Sequence, residues 1–172
     1  MKVILFNAMS LNGIICRNNG KEDFLSDINW DTYCKLSNKL KCLIMGRITY
    51  DKLRKSKKYN FNPIKKVKKI IVTKNKFNQI NNNIFFVKSP KEAVSKAKLL
   101  RFKKVLLCSG GNLNGSFMKL NLVDEIILNI EPVIVSDGIK LFKESNFQKK
   151  LRLLQIKKLN KEILQFNYKV IR

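Results

Sequence analysis

Residues 42–50, CLIMGRITY, determine how the rest of the chain is interpreted. Four consecutive apolar residues are typical of a short strand that is buried on both faces of a sheet. Gly46 then interrupts the strand, and residues 47–50 favour the start of a helix, whose first N–H groups are free to meet an anion. A strand, a glycine and a helix in this order predict a corner at which the backbone can approach a ligand closely.

Residues 105–112, VLLCSGGN, repeat this arrangement further along the chain. Two such corners in one parallel sheet can hold the two ends of a pyrophosphate. Neither corner has the G-x-G-x-x-G pattern or the G-x-x-x-x-G-K-[ST] pattern. Rossmann dehydrogenases and P-loop nucleoside triphosphatases are therefore disfavoured.

Short apolar runs alternate with helical stretches along the remaining chain. Further strands are expected at residues 3–9, 69–73, 84–87, 125–131, 151–159 and 163–171, and helices at 26–40, 90–100 and 112–119. The last two strands show the apolar–polar alternation of an antiparallel hairpin with one buried face. The predicted fold class is α/β, with a central mixed, mostly parallel sheet of about eight strands, helices on both faces and a C-terminal antiparallel hairpin. We expect residues 1–172 to form a single domain.

Histidine is absent from all 172 residues. Ser-His-Asp triads, Cys-His pairs and a histidine general base are therefore excluded. The four cysteines, at positions 16, 34, 42 and 108, have no C-x-x-C spacing, which favours free thiols in a reducing compartment over a metal site. No apolar run approaches the ~20 residues that a membrane span requires. We expect a cytoplasmic protein without a metal and without membrane contact.

The formal net charge is +24, from 36 Lys and Arg residues against 12 Asp and Glu residues. Such a charge suits nucleic acid, but 30 of the cations are Lys, and the basic runs at 55–58 and 65–69 lack interleaved aromatic residues that stack on bases. Lys, Asn and Ile make up 69 residues, a bias that A/T-rich codons produce. A small-molecule partner is therefore expected, with an inactive basic nucleic-acid-binding module as the alternative.

Six short segments, taken in order, resemble the dihydrofolate reductase superfamily, which includes dihydrofolate reductase and the reductase domain of riboflavin biosynthesis. The resemblance covers nearly the whole chain. The segments are 10–13 (SLNG), Asp27-x-x-Trp30, 45–50 (MGRITY), 109–111 (SGG) with Phe117, 122–125 (LVDE), and 132–142 from Pro132 through DGIKLF.

This resemblance implies an oxidoreductase that uses NADPH and has a dihydrofolate reductase-like sheet. The first corner would bind the cofactor's phosphates, the second would lie against its pyrophosphate and nicotinamide, and the end of a third strand would meet the 2′-phosphate. By motif match, the cofactor-binding residues are Ala8, Asn12, Ile14, Ile15, Gly46, Arg47, Thr49, Thr73, Lys74, Ser109, Gly110, Gly111, Asn112 and Leu113. The resemblance also implies a cis bond between Gly110 and Gly111, and a Cβ at Gly111 is expected to crowd the cofactor.

Dihydrofolate reductases carry a carboxylate on the first helix, where a buried acid binds the amidine-like edge of the pterin and promotes protonation of the ring nitrogen. By motif match this acid is Asp27. Asp31, one turn later on the same face, is the alternative, because the spacing from Asp27 to Met45 exceeds the family's by a few residues. A third interpretation places both acids on the surface, where they only stabilise the helix by interacting with the positive end of its dipole. The expected substrate-binding residues are Asp27, Trp30, Leu53, Arg54 and Asn129.

The resemblance leaves two substrates open. Residues 122–125 and 130–132 are more similar to the riboflavin-pathway reductases, yet the acidic, proline-containing segment that follows the second helix in those enzymes is absent. The preferred function is reduction of a pterin-like heterocycle, with dihydrofolate to tetrahydrofolate in one-carbon metabolism as the best substrate. The alternative is a ribosylamino-pyrimidine phosphate in riboflavin biosynthesis. The superfamily contains monomers and homodimers, and both remain open.

Overall fold

Ten strands and four helices are formed by residues 1–75, 82–143 and 146–172, which are the residues that the computed structural model describes. The strands are β1 (Lys2–Ser10), β2 (Ile14–Cys16), β3 (Cys42–Gly46), β4 (Lys68–Val72), β5 (Ile84–Val87), β6 (Lys104–Leu107), β7 (Glu125–Glu131), β8 (Ile139–Lys140), β9 (Leu151–Lys158) and β10 (Leu164–Val170). The helices are α1 (Asp27–Leu40), α2 (Arg47–Lys55), α3 (Pro90–Leu99) and α4 (Gly111–Lys119), and a short 3₁₀ turn covers Asn62–Ile64.

Eight of the strands form one sheet in the order β5-β4-β3-β6-β1-β7-β10-β9. The first six are parallel, while β10 runs antiparallel to β7 and β9 antiparallel to β10. This confirms the mixed, mostly parallel sheet and the C-terminal hairpin. The sequence missed β2 and β8, which pair with each other, because two or three residues are too few to show a periodicity.

Two hydrophobic cores lie on opposite faces of the sheet, because successive strand residues point to opposite sides. On β1, Leu5 belongs to the core that contains Phe117 of α4. The next residue, Phe6, belongs to the core that contains Tyr33 of α1. Helices therefore cover both faces, as predicted, with α1 and α2 on one side and α3 and α4 on the other.

The C-terminal hairpin is less buried than its alternating pattern predicts. Val170 is buried and Phe166 and Tyr168 are half-buried, but Leu164 is 37% exposed. Every residue of β9 is exposed. Among the described residues, the helices pack mainly over β3, β4 and β6, and this leaves much of the hairpin uncovered. No helix within the described ranges is long and apolar enough to cross a membrane.

A buried lysine lies on β4, the strand next to the edge strand β5. Lys69 on β4 is only 2% exposed, and its Nζ donates to the carbonyl oxygens of Ile64, at 2.8 Å, and Val67, at 2.9 Å. Burial lowers the pKa of Lys69 to about 8, against an ordinary value of 10.5. The folded protein therefore loses this proton at a lower pH than the unfolded chain does.

We expect this proton to make stability depend on pH. Between about pH 8 and pH 10.5 the unfolded chain binds the Lys69 proton and the folded chain does not, so the free energy of unfolding rises with pH by up to about 3 kcal/mol. Urea denaturation across this pH window measures the effect. Lys69→Met should lose this part of the pH dependence, and Lys68→Met should keep it. Equal pH dependence in Lys69→Met and the parent protein would contradict the expectation.

Candidate functional site

The two glycine corners meet at the carboxyl end of the sheet. Strands β3 and β6 are parallel neighbours, with Ile44 opposite Leu107. Beyond this pair, the backbone N–H of Gly46 donates to Ser109 Oγ at 3.0 Å. A Cβ built at Gly46 would lie 3.0 Å from that oxygen and 3.7 Å from Leu113 Cδ2, so the chain segments are in close contact here. The predicted juxtaposition of the two corners is therefore present.

Two helices begin at these corners without a side-chain cap. The N-caps are Gly46 for α2 and Gly110 for α4, neither of which can offer a side-chain acceptor, and neither helix has an acidic residue in its first turn. Among the described residues, the N–H groups of Gly110, Gly111 and the exposed Asn112 find no acceptor. Free N–H groups and the positive ends of two helix dipoles make this edge of the sheet attractive to an anion.

A buried amide network holds the second corner in place. Asn7 Nδ2 donates to the carbonyl oxygen of Ser109 at 3.2 Å, and Asn114 Nδ2 donates to the same oxygen at 3.0 Å. Asn114 also donates to Asn7 Oδ1 and to the carbonyl oxygen of Leu141. Because a trans peptide points its N–H opposite to its carbonyl, the N–H of Gly110 is directed away from this network.

The two adjacent glycines at this corner have different surroundings. A Cβ at Gly110 would meet no atom within 4 Å, whereas a Cβ at Gly111 would lie 2.3 Å from the carbonyl oxygen of Lys140 and 3.1 Å from the backbone nitrogen of Lys143. Gly111 is therefore required by the packing of the chain on itself, and the expectation that its Cβ would crowd a cofactor stays a prediction. The implied cis bond between these glycines is also wrong, because no cis peptide occurs among the described residues.

The polar residues that follow the first corner take different positions. Arg47 Nε donates to Asp51 Oδ2 at 2.6 Å, one turn further along α2. This ion pair directs the guanidinium along its own helix. Thr49, two residues after Arg47, is half-buried in the first turn.

The end of β4 lies one strand away from the first corner, as expected. The backbone N–H of Thr73 donates to the carbonyl oxygen of Val87 at 2.9 Å, and Thr73 Oγ1 accepts from the backbone nitrogen of Asn75 at 3.2 Å. Lys74 is exposed. This edge therefore adds an exposed cation one strand away from the corner at which α2 begins.

The residues expected around the nicotinamide form two groups. Ala8, Ile14 and Ile15 are buried, with exposures of 7%, 5% and 5%. Asn12 is exposed, and its side chain donates to the carbonyl oxygen of Val135 at 2.8 Å and accepts from the Val135 nitrogen at 3.2 Å. Asn12 therefore ties two loops together rather than presenting a free amide.

The predicted acids on α1 are both exposed. Asp27 Oδ1 accepts from Lys58 Nζ at 2.8 Å and from the Tyr59 hydroxyl at 2.5 Å. Lys58 and Tyr59 hold the pKa of Asp27 below its usual range. Asp31 is exposed as well. The expectation of a buried acid at either position is wrong, because the first turn of α1 faces solvent and a basic loop.

The other expected substrate contacts lie around α1 and α2. Trp30 is half-buried, with ring-centroid distances of 5.2 Å to Tyr33 and 5.4 Å to Tyr59. Leu53 is half-buried against the same core, and Arg54 is exposed. Trp30 and Leu53 therefore contribute to packing on this face of the sheet.

A buried carboxylate that the sequence did not single out ends β7. Glu131 is 5% exposed, and its Oε1 accepts from the backbone nitrogen of Ser26 at 2.9 Å, from the Ser26 hydroxyl at 2.6 Å and from Asn29 Nδ2. Asn129, expected to touch substrate, is fully buried, and its amide bonds to Asn29 and Gln165. Polar residues at alternate positions of the apolar strand 125–131, EIILNIE, were the sequence signal for this cluster.

The described residues contain no group of three or more Cys, Asp or Glu side chains placed to hold a metal ion. The four cysteines are free. Burial raises the pKa of Cys42 and of Cys108 to about 12, so both thiols stay protonated at neutral pH and neither is an activated nucleophile.

Residues 1–165 match the RibD C-terminal domain family. The uncharacterized protein YwjB of Bacillus subtilis (strain 168) is 25% identical over 171 residues, which cover 97% of this chain and 97% of that protein. The crystal structure titled "Putative riboflavin biosynthesis protein", from Shewanella sp. PV-4, superposes with a TM-score of 0.81 at 22% identity and covers 100% of both chains.

A second crystal structure, from Thermotoga maritima, is described as a diaminohydroxyphosphoribosylaminopyrimidine deaminase and 5-amino-6-(5-phosphoribosylamino)uracil reductase. It superposes with a TM-score of 0.74 at 14% identity, over 99% of this chain and 56% of that one. Both superpositions agree with the overall fold described above. The chain belongs to the RibD C-terminal domain family and has the dihydrofolate reductase-like fold that its sequence motifs predict.

Proposed function

We propose that this protein is an NADPH-dependent reductase that acts on a ribosylamino-pyrimidine phosphate, as in riboflavin biosynthesis. The observation that carries the proposal is the meeting of two uncapped helix starts, joined by the Gly46 to Ser109 hydrogen bond of 3.0 Å. Two positive helix ends at one edge suit the diphosphate bridge of a dinucleotide. Membership of the RibD C-terminal domain family supports a reductase of this pathway.

Dihydrofolate, the substrate preferred from the sequence, is replaced in this proposal by the pyrimidine. The preference for dihydrofolate depended on a buried acid on the first helix, but Asp27 and Asp31 are exposed. The family match favours the riboflavin-pathway alternative. A role in one-carbon metabolism therefore has no support from these observations.

The residues at the carboxyl edge of the sheet fit a bound dinucleotide. The free N–H groups of Gly110, Gly111 and Asn112 would donate to phosphate oxygens, and the open space beside Gly110 lets a ligand approach the backbone. When bound, NADPH would supply a hydride to the substrate. Buried Ala8 and Ile14 would keep water away from the reacting ring, and orientation of the two rings would do much of the catalysis.

Preference for NADPH over NADH is assigned to Lys74. An exposed ammonium at the end of β4, next to the first corner, suits a phosphate on the ribose. The four free thiols suit the cytoplasm, where we place the protein.

The direct test follows NADPH oxidation by its absorbance. The pyrimidine 5-amino-6-(5-phosphoribosylamino)uracil should support turnover, and dihydrofolate should support much less. NADPH alone should raise the melting temperature, because it binds only the folded protein. A strongly salt-dependent shift with an oligonucleotide, and none with NADPH, would replace the proposal with the nucleic-acid-binding alternative.

For oligomeric state, we propose a homodimer over a monomer, formed by pairing β9 with its copy. This strand is the edge of the main sheet, is exposed along its whole length and includes Leu153, Leu154 and Ile156 at 47%, 47% and 52% exposure. An unpaired strand edge can extend its hydrogen-bond ladder with another strand. Antiparallel pairing of a strand with itself is self-complementary, as a twofold dimer requires.

Light scattering coupled to size-exclusion chromatography measures this prediction. The parent protein should elute with twice the mass of the chain, and the double variant Leu154→Lys/Ile156→Lys should elute as a monomer. Leu99→Lys, at an even more exposed apolar position on α3, is the control and should remain dimeric. A monomeric parent protein at micromolar concentration would contradict the proposed dimer.

A further inference from the structure

Glu131 is a buried carboxylate without a cation beside it. It is 5% exposed in a chain of net charge +24, yet none of the ion pairs between described residues includes it. Buried carboxylates are normally paired with a cation or with a metal. The position therefore needs another explanation for keeping a charged group at the end of a strand.

A one-way chain of amides ends on this carboxylate. Gln165 Nε2 donates to Asn129 Oδ1 at 2.8 Å, and Asn129 Nδ2 donates to Asn29 Oδ1 at 2.9 Å. Asn29 Nδ2 then donates to Glu131 Oε1. Each donor points toward Glu131, so the chain of amides orients this carboxylate without a cation. Three side-chain amides, from β10, β7 and α1, therefore fix the position of this carboxylate.

The two carboxylate oxygens have different surroundings. All the donors described above, including both donors of Ser26, reach Oε1. Oε2 has no hydrogen-bond partner among the described residues, and it is not one of the side-chain oxygens that are sealed from solvent without a partner. A structural role at the start of α1 explains the hydrogen bonds to Oε1 but gives no role to Oε2. Oε2 is therefore a fixed hydrogen-bond acceptor without a donor among the described residues.

This free acceptor lies at the same edge of the sheet as the glycine corners. Glu131 ends β7 opposite Ser10 at the end of β1, and β1 lies between β7 and β6. With neighbouring strands about 4.8 Å apart, Glu131 is roughly 10 Å across the sheet from the strand that leads to Gly110. The space between them lies over the end of β1, where the buried Ala8 faces the α1 side.

We propose that Glu131 is the substrate-positioning acid of this protein, and that its Oε2 accepts hydrogen bonds from the amino and ring N–H edge of the pyrimidine. This rests on the proposed function for the identity of the substrate. A carboxylate oxygen without a donor selects a ring edge rich in N–H groups, and a charge-assisted hydrogen bond is stronger than a neutral one. Glu131 replaces Asp27 and Asp31 in the role expected from the sequence.

Glu131→Gln tests the proposal with little risk to the fold. The glutamine Oε1 can accept the three internal hydrogen bonds, and its Nε2 then occupies the position of the free oxygen. An acceptor becomes a donor that faces the donors of the ring. We expect the KM for the pyrimidine to rise about tenfold or more, while the Kd of NADPH and the melting temperature stay unchanged.

Glu125→Gln is the matched control. Glu125 begins the same strand, at the opposite end from Glu131, and its carboxylate pairs with Lys2 Nζ at 2.6 Å. The control should keep the KM of the parent protein. Asp27→Asn tests the rival acid, and a rise in KM for Asp27→Asn with none for Glu131→Gln would overturn the proposal. Loss of NADPH binding together with a lower melting temperature in Glu131→Gln would also overturn it, because the residue would then act only on the fold.

A probe that needs no turnover separates this proposal from the proposed function. By NMR titration, 5,6-diaminouracil should bind the parent protein, and its affinity for Glu131→Gln should be lower by about tenfold or more. The probe 1,3-dimethyluracil lacks N–H donors and should bind the two proteins with the same affinity. This pattern supports the acceptor role even if the phosphoribosyl pyrimidine is not reduced. Equal binding of 5,6-diaminouracil to both proteins, or to neither, would overturn the acceptor role even if the pyrimidine is reduced.

Discussion

Gly111→Ala is expected to lower the melting temperature by roughly 10 °C. The new Cβ would lie 2.3 Å from the carbonyl oxygen of Lys140 and 3.1 Å from the Lys143 nitrogen, and both are backbone atoms that cannot rotate away. The loop must shift, which would also break the hydrogen bond of 3.0 Å from Lys143 nitrogen to the Gly111 carbonyl. Overpacking of this kind costs about 3 kcal/mol, and each kcal/mol shifts the melting temperature of a chain of this size by roughly 2–4 °C. Differential scanning calorimetry measures the change.

The neighbouring substitution provides the comparison. Gly110→Ala adds the same methyl group at a residue with φ of −75° and ψ of 165°, which alanine adopts without strain. It should leave the melting temperature unchanged or slightly higher, since alanine reduces the entropy of the unfolded chain. An unchanged melting temperature in Gly111→Ala would show that the loop around Lys140 accommodates the methyl group.

Gly110→Ala is expected to weaken NADPH binding about tenfold, which corresponds to about 1.4 kcal/mol. The methyl group would project into space that no protein atom occupies within 4 Å, next to the unpaired N–H groups that begin α4. A phosphate that approaches these N–H groups would be pushed away from them. Isothermal titration calorimetry with NADPH, without substrate, measures the change in Kd.

Ser116→Ala is the control for this effect, because Ser116 lies on the exposed side of the same helix and its hydroxyl donates to the carbonyl oxygen of Asn112 at 2.9 Å. Its Kd for NADPH should equal that of the parent protein. Unchanged affinity in Gly110→Ala would mean that a cofactor does not reach this corner. The pair of glycine variants therefore separates a requirement of folding, at Gly111, from a requirement of binding, at Gly110.

Local sequence patterns predicted most of the architecture. Continuous apolar runs such as 42–45 identified parallel strands because such strands are buried on both faces. Gly46 and Gly110 marked the helix starts, and Pro90 marked the start of α3. The order of these patterns along the chain was sufficient to predict the mixed sheet and the two neighbouring glycine corners.

Roles that depend on contacts between distant residues could not be read from those patterns. Asp27 matches the family's active-site acid by motif, but its carboxylate faces Lys58, 31 positions away, in solvent. Glu131 resembles the last polar residue of a strand, yet the start of α1, more than 100 positions away, covers it. Whether a side chain is buried depends on which segments pack over it, and the spacing of a motif does not reveal which segments these are.

The sequence by itself determined where most strands and helices lie, where the two glycine corners are and which superfamily the chain resembles, and it excluded catalysis by histidine. These conclusions follow from hydrophobic periodicity and residue type. Only the tertiary structure decided which carboxylate is buried, which glycine is needed for packing and which is left open to a ligand. The physical reason is that pattern is a property of neighbouring residues, whereas burial, hydrogen-bond partners and free space are set by residues far apart in the chain.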